Sequence, residues 1–329
     1  MSTHLPRLRR ALLASGLAAL IMASAASAAT NKTGANLRVV TDTGKTLYDG
    51  RQITGSTSVK TSKKAVCLGA GSGGTGKKFA LPGATALGAV SDASRNVKAL
   101  RPLSITDAFD FGLGVCGFGG VESPPSGFWY LKQNHVDATA GGDQTIVKNR
   151  DDILWYLIDD FNDPPPAELE LHAPAKVNGG EPFTVKVAEY DPAGKRTPAP
   201  GVSVGGEITG ADGKATIDPG ATSKSVKLQA TRDGAIPSRE LTVCQLLADA
   251  GCQTGHVLRV GGTQKDDKIK GEKGPVEVKS YAGNDTVDVT KSAKAAPVDI
   301  DCGGGKKDVL ITAKGQQFKQ KGCEKIEKR

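Results

Sequence analysis

Apolar residues recur every nine positions near the C-terminus, at Ile269, Val278 and Val287, and Gly262 and Gly271 stand seven before the first two. A short fixed period confines a segment to stacked coils, because each unit can bury its apolar residue only against a neighbouring unit. The register is that of a nonapeptide parallel β-roll. Asp267 and Asp285 stand two before their apolar residues and Asp308 two before Leu310, with a frame slip between 285 and 308, which are 23 residues apart. Stacked ladders of apolar residues, including Ile269, Val278 and Val287, are expected to close the core of the roll.

Upstream, Asp163-Pro164-Pro165-Pro166 stops helix and strand alike and marks a linker at 163–166. Before it, short strands are predicted at 37–41, 46–48, 128–132, 144–148 and 153–158 and a helix at 85–94, a small α+β domain. After it, residues 167–243 alternate, with turn signals such as Asp212-Gly213 and Asp233-Gly234, as in a β-sandwich. Phe183, Val185 and Val187 share a face, as do Val202 with Val204, Ala215 with Ile217, and Val226, Leu228 and Ala230. Composition agrees: 42 glycines and 17 prolines in 329 residues, with aromatics at 5%, favour short strands and many turns over helix bundles.

The N-terminus reads as a secretory signal over residues 1–29. Arg7, Arg9 and Arg10 precede an apolar run from Ala11 to Met22, and Ala26-Ser27-Ala28 offers the small-residue cleavage site. The mature chain is expected to start near Ala29, without a membrane span, secreted or held at a cell surface. Export makes disulfides stable. Six cysteines allow fifteen pairings, and local pairing of Cys67 with Cys116, Cys244 with Cys252 and Cys302 with Cys323 is the simplest. No C-x-x-C and no histidine at finger spacing supports zinc.

Catalytic patterns fail on context. Gly69-Ala70-Gly71-Ser72-Gly73-Gly74 fits G-x-G-x-x-G, but Pro82-Gly83 soon follows and no βαβ alternation continues. The overlapping run ending at Lys78 has lysine where a P-loop needs Ser or Thr, and Ser72 lacks the first glycine of a nucleophile elbow. His135 reads as an exposed loop residue beside an aromatic strand, His172 as surface, and His256 as linker. The paired acids Asp151-Asp152 and Asp159-Asp160 read as solvated turns. With no convergent acid, base and nucleophile, no enzyme is expected and no catalytic residue is assigned. Residues 306–329 carry eight Lys or Arg against Asp308, Glu324 and Glu327, a basic face that could hold an anionic wall polymer or a lipid surface, or simply be solvated; without interleaved aromatics, nucleic acid is not expected as a partner.

Three resemblances refine this reading. Phe128-Trp129-Tyr130-Leu131-Lys132-Gln133-Asn134, then Gly141-Gly142-Asp143-Gln144, then Asp151-Asp152-Ile153-Leu154-Trp155-Tyr156 resemble a β-grasp domain of unknown function related to the C-terminal domain of transcobalamin and intrinsic factor, over residues 36–162. The family's V-N-G turn is replaced by Gln133-Asn134-His135, and Arg150 stands where the family has glycine. The resemblance implies a binding face at Trp129, Tyr130, Asn134 and His135. Residues 167–243 resemble immunoglobulin-like modules of bacterial secreted proteins. Residues 255–328 resemble degenerate haemolysin-type (RTX-like) calcium-binding repeats, best at Tyr281-Ala282-Gly283-Asn284-Asp285-Thr286-Val287. Calcium is the one cofactor this implies, with Asp267, Gly283, Asn284, Asp285 and Asp308 as its residues; Lys265 and Lys306 stand where the repeat wants glycine, which opposes the ion.

The fold class expected is therefore mainly β and multidomain: an α+β β-grasp domain, an immunoglobulin-like β-sandwich and a short parallel β-roll. The function expected is that of a non-catalytic, exported binding or adhesion protein of a bacterial envelope or medium, its partner a cell-surface, wall or small-molecule ligand. The alternative is a carrier of a small, corrinoid-like molecule.

Overall fold

The computed structural model describes residues 32–68, 72–220, 225–246, 257–274, 276–292 and 298–329. The expected signal segment at 1–29, Gly69 to Gly71, Cys252 and His256 lie outside the described residues. Strands take 47% of the described residues and helix 4%, so the protein is mainly β, with several sheets.

The first unit is built on Thr33–Val40, an all but fully buried strand. It pairs antiparallel with Thr46–Thr54 on one side and parallel with Asp152–Ile158 on the other, and Asp152–Ile158 pairs antiparallel with Phe128–Gln133. A helix, Ala86–Ser94, lies against this sheet. Thr85 Oγ1 accepts the Gly88 N–H at 3.0 Å, a serviceable N-cap, and Asp92 accepts Thr54 Oγ1 at 3.0 Å and Thr57 Oγ1 at 2.9 Å, which pins the helix to the sheet edge. Leu37, Val39, Leu87, Val90, Phe118, Trp129 and Trp155 share the resulting core. The predicted strand at 144–148 is instead a turn, because Thr145 N and Oγ1 both bond to Gly141 O and only Thr85 with Ile146 makes an isolated bridge.

In the middle unit, Phe183–Tyr190 pairs with Glu168–His172, Arg196–Pro198 and Lys214–Ile217. A second sheet joins Lys176–Asn178, Leu241–Leu246 and Ser225–Leu228, and a third joins Glu207–Ile208, Ser203–Val204 and Ala230–Thr231. The expected alternating faces meet in one core of Leu169, Leu171, Phe183, Val185, Val187, Val202, Val204, Ile217 and Leu228.

The C-terminal unit coils between two parallel sheets. Leu258–Gly261, Val276–Lys279, Val298–Asp301 and Lys319–Lys321 form one; Lys268–Lys270, Thr286–Asp288, Val309–Thr312 and Lys325–Lys328 form the other. The nine-residue period thus alternates between sheets. Ile269 stacks on Val287, Leu310 and Ile326, whereas Val278 lies opposite, between Val260 and Ile300. The stacked apolar residues expected from the sequence thus form two facing ladders, and one coil takes two repeats. Cys302 and Cys323 are bridged, pinning the last coil, and Cys67 is bridged to Cys116. Cys244 is also disulfide-bonded, but Cys252 is outside the described residues.

The first and last units share a sheet. Arg51 and Gln52 pair in parallel with Val260 and Gly261, so the first unit's sheet runs on into the roll as nine strands, and Ile53 enters the roll's core. Gln52 Nε2 donates to Gly262 O at 2.9 Å across the join. The middle unit docks on the same sheet through Ile236, which packs with Val40, Leu154, Tyr156 and Ile158.

Candidate functional site

The Leu103–Phe109 and Gly112–Phe118 strands form a hairpin that stands beside the Phe128–Gln133 strand. Its tip reverses at Gly112, whose φ of +134° is closed to a side chain, and it presents Phe109 and Phe111 with rings stacked 5.0 Å apart. The bridge from Cys67 to Cys116 ties the hairpin to the preceding loop. Phe111 is 70% exposed and Phe161 53% exposed, an uncommon position for two phenylalanines.

Between the hairpin and the sheet lies an apolar groove of about 540 Å³. Phe109, Phe111 and Leu113 line one wall, and Trp129, Leu131 and Trp155 belong to the sheet side. Phe118 meets both tryptophans edge-on, with centroids 4.6 Å from Trp129 and 5.8 Å from Trp155. Both tryptophans are buried, yet among the described residues neither indole N–H has a hydrogen-bond partner. Buried indoles normally find an acceptor. Gly141 and Gly142 pass over the groove; a Cβ at Gly142 would stand 2.6 Å from Trp155 Cη2, so only glycine lets the loop lie on that ring.

The residues expected to form the binding face separate. Trp129 and Tyr130 line the groove; Asn134 and His135 do not. Asn134 and His135 form a left-handed turn, φ +53° and +69°, where Asn134 Oδ1 accepts the Asp152 N–H at 2.9 Å and Nδ2 donates to Asp151 Oδ1 at 3.0 Å. His135 is no exposed loop residue: its ring stacks 3.9 Å from that of Tyr190, and Nδ1 lies 3.1 Å from Glu168 Oε2, so it belongs to the junction with the middle unit. Burial disfavours its charged form, but the hydrogen bond and charge of Glu168 outweigh that and raise its pKa. Phe109, Phe111, Leu113 and Phe161 were missed by sequence reasoning; the phenylalanines two apart before a glycine turn were the available signal.

In the roll, Asp267, Asp285 and Asp308 are buried one coil behind another. Asp285 Oδ1 accepts the Asp267 N–H at 2.7 Å, Asp308 Oδ1 accepts the Asp285 N–H at 2.6 Å, and Glu324 Oε2 accepts the Asp308 N–H at 2.8 Å. The ladder ends on a lysine. Lys32 Nζ donates to Asp267 Oδ1 at 2.5 Å, to Thr263 Oγ1 at 2.9 Å and to Asp266 O at 2.7 Å. Burial pushes Asp285 up to about 7, with the charges of Asp267 and Asp308 adding to it. Asn284 N donates to Asp266 Oδ1, and Gly283, at φ +113°, leaves no room for a Cβ beside Lys265.

These donors do not fit calcium. The ion takes roughly six to eight oxygens, whereas here the Asp267 carboxylate is spent on Lys32 and Thr263, and the Oδ1 atoms of Asp285 and Asp308 are spent on backbone N–H groups. Of the three repeat aspartates, only Oδ2 of Asp285 and Oδ2 of Asp308 are left, one coil apart, and among the described residues no three His, Cys, Asp or Glu side chains converge to hold a metal. An ammonium at the end and backbone donors along the ladder occupy the positions the repeat's resemblance gives to the ion.

No helix among the described residues is long and apolar enough to cross a membrane. Comparisons with protein-family models, curated proteins and solved structures gave no match for this chain.

Proposed function

We propose that the protein is a non-catalytic, exported binding protein of a bacterial envelope or medium, whose first unit takes a small apolar ligand in the aromatic groove. The observation that carries this reading is an apolar groove of about 540 Å³ lined by both tryptophans, Trp129 and Trp155, and by the exposed Phe111 and Phe161. The volume lies within the range of small-molecule sites, which are apolar with a few placed polar groups. A ligand with a flat apolar body would fit this lining of aromatic rings. The parallel pair of first and last strands with a helix packed on the sheet supports the β-grasp reading of this unit, and the bacterial envelope reading rests on the signal-like N-terminus and the disulfides.

The chain's two tryptophans both line the groove, so their emission reports on it alone. Titration with anilinonaphthalene sulfonate, an aromatic anion, is expected to give saturable energy transfer from tryptophan. Phe111→Ser should weaken the interaction without changing the melting temperature, since Phe111 is exposed. Absence of saturable transfer, or equal transfer in Phe111→Ser, would count against the groove as a binding site.

A further inference from the structure

A cleft of about 580 Å³ opens where the first unit meets the first coil of the roll. Cations dominate its lining. Lys32 is committed to Asp267, and Arg51 and Arg150 share Glu272, the single acid in the lining, with Arg150 Nε 3.1 Å from Glu272 Oε1. Arg51 also reaches Asn149, with Nη2 2.7 Å from Oδ1, so the guanidinium is held in place. A Cβ at Gly34 would stand 2.5 Å from Arg51 Nε, so glycine leaves that guanidinium its room.

Four lysines remain: Lys268, Lys270, Lys273 and Lys291. All are exposed, and among the described residues none has an acid within ion-pair distance. Asp288, which pairs in register with Lys270, is turned to Thr290 instead, accepting its N–H at 3.0 Å and its hydroxyl at 2.7 Å. Lys268 and Lys270 flank the buried Ile269, so strand alternation sends both outward, about 7 Å apart along one edge of the cleft.

We propose that this cleft is a second binding site, independent of the aromatic groove, and that it holds a thin linear phosphate polymer. Ammonium groups are compact point charges suited to phosphate, and lysines spaced along a strand match a ligand that repeats its charge along a chain. The concave shape admits such a chain and excludes a flat membrane surface. No aromatic side chain lines the cleft, so nothing there would stack on a nucleobase.

The test uses the full chain and short linear polyphosphate as probe. Binding is expected to weaken with salt, with a log–log slope of roughly −3 if four phosphates are neutralised. Replacing Lys268, Lys270, Lys273 and Lys291 together by glutamine should cost about tenfold or more in affinity at low salt. A control carrying Lys319→Gln, Lys321→Gln, Lys325→Gln and Lys328→Gln removes the same charge from the last coil and should leave binding within about twofold. The four single lysine variants, each with partial loss and an unchanged melting curve, separate loss of site from loss of fold. Equal loss in both quadruple variants would reduce the effect to net charge and overturn the proposal. So would tighter binding of oligothymidylate of matched charge, or of phosphatidylglycerol vesicles with the same lysine dependence.

Discussion

Arg38 Nη2 lies 2.5 Å from Glu168 Oε1, with both side chains buried, so the Thr33–Val40 strand is locked to the Glu168–His172 strand of the middle unit. Arg38 Nη1 also donates to Pro237 O at 2.7 Å, and the other carboxylate oxygen of Glu168 meets His135. Burial favours a neutral Glu168, but the bond from His135 and the charge of Arg38 prevail and hold its pKa low. The linker prolines therefore connect units that are already clasped.

Glu168→Ala would leave Arg38 buried without its acid and is expected to cost about 3–5 kcal/mol, measured by urea unfolding. The clasp also sets a pH window. Glu168, lowered on folding, contributes stability that is present above its unfolded value of about 4.3 and lost as pH falls through its folded one; His135, raised on folding, contributes stability that is full below about 6.5 and lost as pH rises through its folded value. The junction is thus strongest in mildly acid solution, between about pH 4.3 and 6.5. His135→Gln should flatten the alkaline side of the melting profile and, because His135 helps hold Glu168 low, also weaken the acid side; an unchanged alkaline side would show that the stacked imidazole does not carry the effect.

The roll is expected to ignore calcium. Its melting temperature should not move between chelator and about 10⁻³ M calcium, a concentration that would fill extracellular calcium modules. Asp285, raised to about 7, contributes stability that is full below its ordinary value near 3.9 and lost as pH rises through about 7. Asp285→Asn keeps an oxygen for the Asp267 N–H and adds no charge, so it should remove that loss and stabilise the roll above neutrality. A calcium-dependent rise in melting temperature, abolished by Asp285→Asn, would contradict the lysine-capped ladder.

Gly142→Ala drives a methyl group into Trp155 and is expected to destabilise the first unit by about 1–3 kcal/mol, read from thermal unfolding, with a shift in tryptophan emission. Gly120, where an added Cβ meets nothing within 4 Å, is the comparison for general glycine effects; Gly120→Asn should be tolerated, since asparagine accepts its φ of +86°.

Much of the fold was legible because local rules carried it. Thr85 before an apolar helical stretch, the alternation through Phe183, Val185 and Val187, and the period through Ile269, Val278 and Val287 each express one element's own geometry. What sequence reasoning missed is long-range. The pairing of Arg51 with Val260 joins strands more than two hundred residues apart by backbone alone, and a backbone bond leaves no mark on residue choice. The capping of Asp267 by Lys32 is equally silent, since an isolated lysine before a strand reads as solvated. His135 looked exposed because its partner, Tyr190, belongs to another unit. Of the candidate site, Trp129 and Tyr130 were found through the aromatic strand, while the hairpin wall at Phe109 and Phe111 was overlooked among glycines.

The binding claim is tested most directly by the two indole N–H resonances in a nitrogen–proton correlation spectrum of the full chain. Without ligand, both are expected upfield, as unbonded N–H groups, and slow to exchange because they are buried. With anilinonaphthalene sulfonate in the groove, at least one should shift as the ligand's rings pack against the indoles that line it, and Phe111→Ser should suppress the movement. Two indole signals that already report hydrogen bonds in the free protein, or that stay fixed at saturating ligand, would contradict the account.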